Sequence, residues 1–206
     1  MKDTTRVIFD DLFLRHPSLK MCRGDIAAAF ETMRKAYIDG GKALVCGNGG
    51  SAADCEHIVG ELMKTFKKHR PIPKNLAGKL RSEIAVKLEG ALPAVSLVSM
   101  SGVVSATAND VSWETSFAQQ VIGLAKREDV LVAISTSGNS ANCVAAAEVM
   151  NAVGGATVAL TGAKESKLSA ICGTTIRVPE TETYKIQELH LPVYHTLCAM
   201  LEEEFY

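Results

Sequence analysis

The chain has 206 residues and sets 22 Lys and Arg against 23 Asp and Glu, which gives a formal net charge of −1. This balance excludes the broad basic surface of a protein that binds nucleic acid or an anionic membrane. The hydrophobic fraction of 47% supports a packed core and excludes intrinsic disorder. Because aromatic residues make up only 5%, small aliphatic side chains dominate, as in helices packed on a buried sheet.

The cysteines and the N-terminus indicate the compartment. Six cysteines are scattered without CxxC pairs, and the polar N-terminus has neither the hydrophobic region nor the cleavage site of a signal peptide. No apolar run approaches the roughly 20 residues that cross a bilayer. We therefore expect a soluble cytoplasmic protein with buried, reduced thiols.

The N-terminal segment, residues 1–40, is predicted to be helical. Apolar residues at helical spacing indicate one helix that Pro17 ends and a second that ends at Gly40-Gly41.

Five short apolar runs after this segment predict strands covered on both faces. They lie at residues 43–46, 94–97, 130–134, 156–160 and 174–178. Helical segments separate them, near residues 51–68, 113–126, 140–151 and 166–170, and a last helix covers about 184–204. Alternating strands and helices predict right-handed crossovers and an α/β fold with a doubly wound, five-stranded parallel sheet.

Two features interrupt this layout. In the segment 69–92, Leu or Ile recurs every four residues from 76 to 88. This predicts an extra amphipathic helix, docked on the body or on a partner subunit, or acting as a lid over an active site. Pro192 predicts a kink or restart of the last helix near 188–191. Without a linker or repeat, the chain is expected to be one domain, 1–206.

A glycine loop, Gly47-Asn48-Gly49-Gly50-Ser51, joins the first predicted strand to a helix. Ligands of open parallel sheets bind beyond the carboxyl ends of the strands. Glycines let the backbone approach a ligand closely, and a helix start offers free N–H groups to an anion. The glycine spacing matches neither a Rossmann loop nor a P-loop, and a simple tight turn is the alternative.

A serine loop, Ser135-Thr136-Ser137-Gly138-Asn139-Ser140, follows the third predicted strand and also leads into a helix. Its hydroxyl and N–H donors predict a neutral cradle for a phosphate monoester. The alternative, a helix N-cap within a polar turn, would need only one hydroxyl.

Asn109-Asp110 follows the second predicted strand after a short helical piece. The pair offers an amide and a carboxylate to sugar hydroxyls. The alternative is an Asx turn that opens the next helix.

Four polar residues on two helices are candidates for acid/base or metal chemistry. His57 and Glu61 are four residues apart and share a helix face, where they can bind one metal ion, act as an acid/base pair or form a solvated ion pair. Gln187 and His195 lie about 80° apart on an ideal helix. For both His190 and His195, the alternative to a functional role is that of a buried histidine that is hydrogen-bonded within the core.

Taken together, these motifs resemble the sugar isomerase (SIS) domain family, most closely its phosphoheptose isomerases, over nearly the whole chain. The matching motifs are Cys46-Gly47-Asn48-Gly49-Gly50-Ser51 with His57 and Glu61, Ala108-Asn109-Asp110, Ile134 with the serine loop, Leu160-Thr161-Gly162, and Ile186-Gln187-Glu188-Leu189-His190 with His195. The serine loop at a strand end is highly specific for the superfamily.

The resemblance implies conversion of sedoheptulose 7-phosphate to glycero-manno-heptose 7-phosphate by a cytoplasmic homotetramer. It implies substrate contacts at Asn48, Gly49, Gly50, Ser51, Glu61, Asn109, Asp110, Ser135, Thr136, Ser137, Ser140 and Gln187. It implies a zinc site formed by His57, Glu61, Gln187 and His195.

Moving a carbonyl between carbons 1 and 2 requires proton removal beside a carbonyl, an enediol and reprotonation at the neighbouring carbon. We assign to Glu61 the removal and return of the carbon-bound proton, and to His195 the movement of protons between the oxygens. Zinc would polarise the carbonyl. His195 cannot exchange a proton through a nitrogen that binds the metal, so its two roles compete.

Three features depart from the family pattern and concern substrate identity more than reaction class. Tyr184 stands where an acidic residue is expected, Thr65 stands where related isomerases often carry arginine, and the segment 69–92 is long. The alternative function is a non-catalytic SIS protein that binds a phosphosugar or bridges replication-initiator molecules. Such a protein needs neither Glu61 nor His195, whose presence favours the enzyme. A sugar-phosphate-sensing regulator lacks support, because the chain shows no helix-turn-helix segment or basic arm.

Overall fold

The fold centres on a parallel sheet, which a computed structural model of residues 1–206 describes in full. The strands are β1 (Ala43–Gly47), β2 (Ala94–Ser96), β3 (Val130–Ile134), β4 (Ala156–Thr161) and β5 (Thr174–Arg177). Their order is β2-β1-β3-β4-β5, and every neighbouring pair is parallel. The predicted five-stranded, doubly wound α/β architecture is therefore confirmed.

Ten helices surround the sheet. They are α1 (Asp3–Arg15), α2 (Arg23–Ile38), α3 (Gly50–Met63), α4 (Lys74–Ala77), α5 (Ser82–Ala85), α6 (Ser101–Asp110), α7 (Ser116–Leu124), α8 (Ala141–Val153), α9 (Lys167–Ile171) and α10 (Thr183–Phe205). Short 3-10 turns precede α2 and α7. None of the helices combines the length and apolarity needed to cross a membrane.

The sheet separates two apolar clusters. The larger has 32 buried residues and joins the sheet to α1, α2, α3 and α10. The smaller has 14 buried residues and joins the other face to α7, α8 and α9. Every residue of β1 and β3 is buried, as the continuous apolar runs predict for central strands of a covered sheet.

The inserted segment is not the amphipathic helix that its spacing predicts. Only two single-turn helices form there, α4 and α5, and Leu76, Ile84 and Leu88 remain well exposed. A helix this short is not stable without a buried face, and the chain offers none here. A bridge between Pro71 and Glu89 closes the segment into a loop at its base.

Pro192 neither interrupts nor restarts the last helix, contrary to the sequence prediction. Helix α10 runs unbroken over 23 residues and buries Pro192. Packing against α1, α2 and α3 outweighs the loss of one backbone hydrogen bond at the proline.

The prediction of buried cysteines without disulfide bonds is confirmed for most of the six residues. All six cysteines are free, and five of them are buried. Burial raises the pKa of the Cys22 and Cys172 thiols to about 11, so these thiols stay protonated and unreactive at neutral pH.

Candidate active site

Two polar loops meet at the carboxyl edge of the sheet because β1 and β3 are neighbours. Asn48, after β1, and Asn142, in the first turn of α8, exchange two amide hydrogen bonds of 2.9 Å. The Asn48 side-chain amide is therefore bonded within the protein, and its contact with substrate stays a prediction. The reciprocal pair joins the glycine loop firmly to the helix that follows the serine loop.

The serine loop presents a cluster of hydroxyl and amide donors. The Oγ atoms of Ser135 and Ser140 lie 2.9 Å apart, and the Ser137 hydroxyl accepts the Asn139 N–H at 3.2 Å. Gly138 adopts a φ of 64°, a conformation that glycine takes without strain. The N–H groups of Thr136 and Ala141 donate to no protein atom, so they are free for an anion.

A cleft of about 220 Å³ opens beside this loop. Its lining includes Thr136, Ser137 and Lys164, and also the acidic residues Glu165 and Glu180. The cleft has room for a phosphate group beside the free N–H groups of the serine loop.

His57, Glu61 and His195 converge on one point, although they come from α3 and α10. The His57 Nε2 atom lies 3.1 Å from Glu61 Oε1 and 3.3 Å from His195 Nε2. The Glu61 side chain is only 17% exposed, whereas that of His57 is 44% exposed. The carboxylate is thus more sheltered from solvent than the imidazole.

Desolvation, and secondarily the nearby His57, lower the pKa of His195. A neutral imidazole can accept a proton at one nitrogen and donate one from the other. A cleft of about 550 Å³, formed largely by α1 and α10, leads to the His195 ring.

Two residues that sequence analysis did not single out complete this cluster. The Tyr194 hydroxyl lies 3.0 Å from His57 Nδ1 and donates to Asp54 Oδ1 at 3.2 Å. Asp54 precedes His57 by three residues, so helical spacing alone could have suggested it. Nothing in the sequence predicts Tyr194, because it approaches His57 from another helix.

Gln187 lies against the start of α3. A side-chain carbon added to Gly50 would come within 2.6 Å of the Gln187 amide nitrogen, so the glycine leaves the space that the amide occupies. This contact places Gln187 at the N-terminus of the helix that carries His57 and Glu61.

The end of α3 is fixed by a buried ion pair. The Arg70 guanidinium donates to Glu202 Oε1 at 2.7 Å and to the carbonyl oxygens of Glu61 and Leu62 at 2.8 and 2.6 Å. Glu202, on α10, also accepts the backbone N–H groups of residues 66–68. These bonds stop α3 at Met63, before the predicted end near residue 68, and anchor it to α10.

Asn109 and Asp110 are exposed at the far end of α6, where their side chains bond to each other at 2.7 Å. The ten residues of α6 extend about 15 Å. No hydrogen bond joins either side chain to the His57 cluster, and their contact with sugar stays a prediction.

His190 is a buried, hydrogen-bonded histidine, as in the alternative to a functional role. Its Nε2 atom lies 3.3 Å from the Thr161 carbonyl oxygen, and burial lowers its pKa to about 4. It takes no part in the cluster.

The His57, Glu61 and His195 side chains fit a small divalent cation. One ligand atom from each lies within 4.8 Å of the others. Imidazole nitrogen and carboxylate oxygen are ordinary zinc ligands, and three protein ligands with an open position are typical of catalytic zinc. A fourth ligand from Gln187 stays a prediction.

Sequence comparisons place these features in a known context. An SIS domain profile matches residues 102–201, and a second SIS domain profile matches residues 18–92. The chain is 36% identical to a phosphoheptose isomerase of Rhodospirillum rubrum over 94% of its own length and 91% of that protein. It is 40% identical to a phosphoheptose isomerase of Nitratiruptor over 80% of its own length and 78% of that protein.

Structural comparison agrees with the sequence comparisons. The phosphoheptose isomerase of Neisseria gonorrhoeae superposes with a TM-score of 0.75 at 29% identity. The match covers 98% of both chains, so it includes the N-terminal helices, the sheet and α10.

Proposed function

The chain belongs to the SIS domain family and groups with its phosphoheptose isomerases, and we propose from this that it converts sedoheptulose 7-phosphate to glycero-manno-heptose 7-phosphate. The observation that carries the proposal is the approach of Glu61 to His57 and His195. A carboxylate beside imidazole nitrogens can move the protons that an aldose–ketose conversion requires.

The phosphate group is assigned to the serine loop. Ser135, Thr136, Ser137 and Ser140 supply hydroxyl groups there, and the free N–H groups at the start of α8 supply further donors. A cradle of neutral donors holds a phosphate without a basic patch, which agrees with the net charge of −1.

The sugar is assigned to the glycine loop and to the cluster between α3 and α10. Gly49, Gly50 and Ser51 offer backbone groups, and Gln187 offers an amide above Gly50. Asn48 contributes through the loop geometry that its bond to Asn142 fixes. Asn109 and Asp110 complete the proposed set from a neighbouring subunit.

Two residues carry out the proton transfers of the reaction. Glu61 removes the proton from carbon 1 of the ketose and returns it at carbon 2, which forms and consumes an enediol. His195, whose lowered pKa keeps it neutral, moves protons between the two sugar oxygens. The Glu61 side chain keeps 17% of its surface exposed, so the abstracted proton can exchange with water before it returns.

A divalent cation, proposed to be zinc, would be held by His57, Glu61, His195 and Gln187, where it would polarise the carbonyl and stabilise negative charge on the sugar oxygens. If His195 binds a cation through Nε2, only its Nδ1 atom remains for proton transfer.

The assembly is proposed to be a cytoplasmic homotetramer. Large apolar side chains on several helices are exposed in the single chain, including Val7 and Leu14 on α1, Val86 after α5 and Ile122 on α7. Such surfaces are typical of residues that a partner subunit covers. A neighbouring subunit would also bring the exposed ends of α6 to other sites.

A turnover assay with several ketose phosphates tests the proposal. Purified protein should convert sedoheptulose 7-phosphate to the aldose and act more slowly on shorter ketose phosphates. Binding of these sugars without any aldose product would instead support the non-catalytic SIS function.

A further inference from the structure

The middle of the inserted segment, residues 71–89, forms an arm that lies outside the core. Its root is fixed, because the Arg70 carbonyl oxygen accepts the Gly90 N–H at 2.7 Å and a bridge joins Pro71 to Glu89. Between these ends no residue is buried, and α4 and α5 are single turns. Helices this short need a packed face to persist in water, so the arm lacks a surface to pack against in the single chain.

The exposed side chains of the arm are apolar and basic. Four large apolar side chains are between 38% and 80% exposed, and four exposed cations stand against Glu83 and, at the root, Glu89. The nearest ion pairs in sequence are those of Lys68 and Arg70, and none of the four arm cations pairs with a carboxylate of the chain. The apolar residues are Leu76, Ile84, Val86 and Leu88, and the cations are Lys74, Lys79, Arg81 and Lys87.

The loop between α6 and α7 carries a complementary set of side chains, which we call the acidic corner. Val111 is 76% exposed and Trp113 is 51% exposed. Asp110 and Glu114, which flank them, are also exposed, and neither carboxylate pairs with a cation of the chain. By contrast, two carboxylates of α1, beside its exposed apolar residues, already pair with arginines of the chain. The acidic corner therefore offers both the apolar area and the free negative charge that the arm lacks.

The arm and the acidic corner lie on opposite sides of the sheet. The arm is rooted on α3 and α10, where Arg70 donates to Glu202, and these helices cover the face with the larger apolar cluster. The acidic corner packs against α7 and α8, which cover the other face. Because the sheet separates the two surfaces of one chain, contact between them requires a second copy.

We propose that the arm docks on the acidic corner of a second copy of this chain, while the arm of that copy docks on the corner of the first. Such a reciprocal contact is the ordinary form of a two-fold symmetric interface. The apolar side chains of the arm cover Val111 and Trp113, and its cations face Asp110 and Glu114, so burial supplies the affinity and charge sets the orientation. The docking rests on the assembly in the proposed function, of which it forms one interface, but it does not depend on the reaction.

Reversing the charge on each surface tests the pairing. The arm variant combines Lys79→Glu with Arg81→Glu, and the corner variant combines Asp110→Lys with Glu114→Lys. All four positions are exposed, so the changes leave the core intact. Light scattering coupled to gel filtration gives the molar mass of each protein over a range of concentrations.

The matched control combines Lys126→Glu with Arg127→Glu. These two exposed cations lie before β3, away from both surfaces, and their reversal changes the net charge by the same amount as the arm variant. The control should keep the wild-type mass.

The arm variant and the corner variant should each associate at least about tenfold more weakly than wild type, because like charges then face each other. Each should therefore have half the wild-type mass or less at concentrations where wild type stays assembled. An equimolar mixture of the two variants should recover the wild-type mass, because the glutamates of one arm then face the lysines of the other corner.

An arm variant with the wild-type mass would overturn the docking and would mean that the arm covers its own chain or another molecule. A corner variant with the wild-type mass, or a mixture that stays dissociated, would overturn the choice of the acidic corner. A wild-type protein with the mass of one chain would refute both the docking and the tetramer. Turnover of the wild type is measured separately: the expected masses without any aldose product would refute the proposed reaction and leave the docking in place.

Discussion

Glu61 carries the chemical step in the proposed reaction, and its surroundings make that assignment specific. Its carboxylate contacts His57, while its backbone carbonyl oxygen accepts from the buried Arg70. Position and chemistry are therefore separately supported: the backbone contact holds the residue in place even when the side chain is changed.

Glu61→Gln should lower kcat by about 10²- to 10⁴-fold, because an amide cannot accept the proton that a carboxylate accepts. Binding of the sugar phosphate, measured by calorimetry, should stay within a few-fold of wild type. Glu148→Gln, the same change at an exposed position of α8, is the control and should keep full activity. Near-normal turnover in Glu61→Gln would refute the assignment.

His190 shows how burial of a single residue makes stability depend on pH. Its pKa is lowered to about 4 by desolvation, whereas an unfolded histidine titrates near 6.5. As pH falls from about 6.5 to about 4, this histidine binds a proton in the unfolded state but not in the folded state. The free energy of unfolding should therefore decrease by about 3 kcal/mol over this range.

Urea unfolding at several pH values measures this effect. Because carboxylates also titrate at the acidic end, the contribution of His190 is the difference between wild type and His190→Gln, whose stability should depend less on pH. Parallel pH profiles for the two proteins would show that His190 does not contribute the expected linkage.

At the scale of elements, α3 links the glycine loop to the cluster of His57, Glu61 and His195, and two of its glycines are expected to respond differently to substitution. A side-chain carbon on Gly50 would displace the Gln187 amide, whereas one on Gly60 would meet nothing within 4 Å. The Gln187 amide is the end of a flexible side chain, so it can move at little cost to folding.

Gly50→Ala should therefore fold with nearly unchanged stability but reduce kcat/KM by an order of magnitude or more, because Gln187 leaves its position. Gly60→Ala should keep its activity and raise the free energy of unfolding by about 0.5–1 kcal/mol. Steady-state kinetics and urea unfolding of both variants provide the comparison. Full activity in Gly50→Ala would mean that the position of Gln187 does not matter.

Elements with a continuous apolar pattern were predictable from sequence. The buried runs of β1 and β3 and the long pattern of α10 are local signals. The adjacency of β1 and β3, which brings the glycine and serine loops together, was not predicted. The grouping of His57 and Glu61 on α3 with His195 on α10 was expected only from the resemblance to the SIS domain family.

Features that depend on distant contacts were not predictable. The early end of α3 results from a bond between Arg70 and Glu202, 132 residues apart, and the link between Asp54 and Tyr194 spans 140 residues. For the inserted segment the local signal gave a wrong prediction. Its regular spacing of apolar residues indicates a helix, but no surface of the chain buries that face.

For the whole molecule, the exposed apolar side chains of α1, the inserted segment and α7 are a prediction about assembly. Light scattering coupled to gel filtration should give a molar mass four times the 22.0 kDa of the chain. Changing Leu14, which is 78% exposed, to Glu should lower that mass if α1 lies in an interface. A wild-type mass of one chain would refute the tetramer.

The central claim is that this molecule isomerises a ketose phosphate through an enediol. The most direct measurement is NMR of sedoheptulose 7-phosphate incubated with the wild-type protein in deuterium oxide. We expect an aldose 7-phosphate that carries solvent deuterium at carbon 2, because the proton held by Glu61 exchanges before it returns. Recovery of the ketose alone, with no aldose after prolonged incubation, would contradict it.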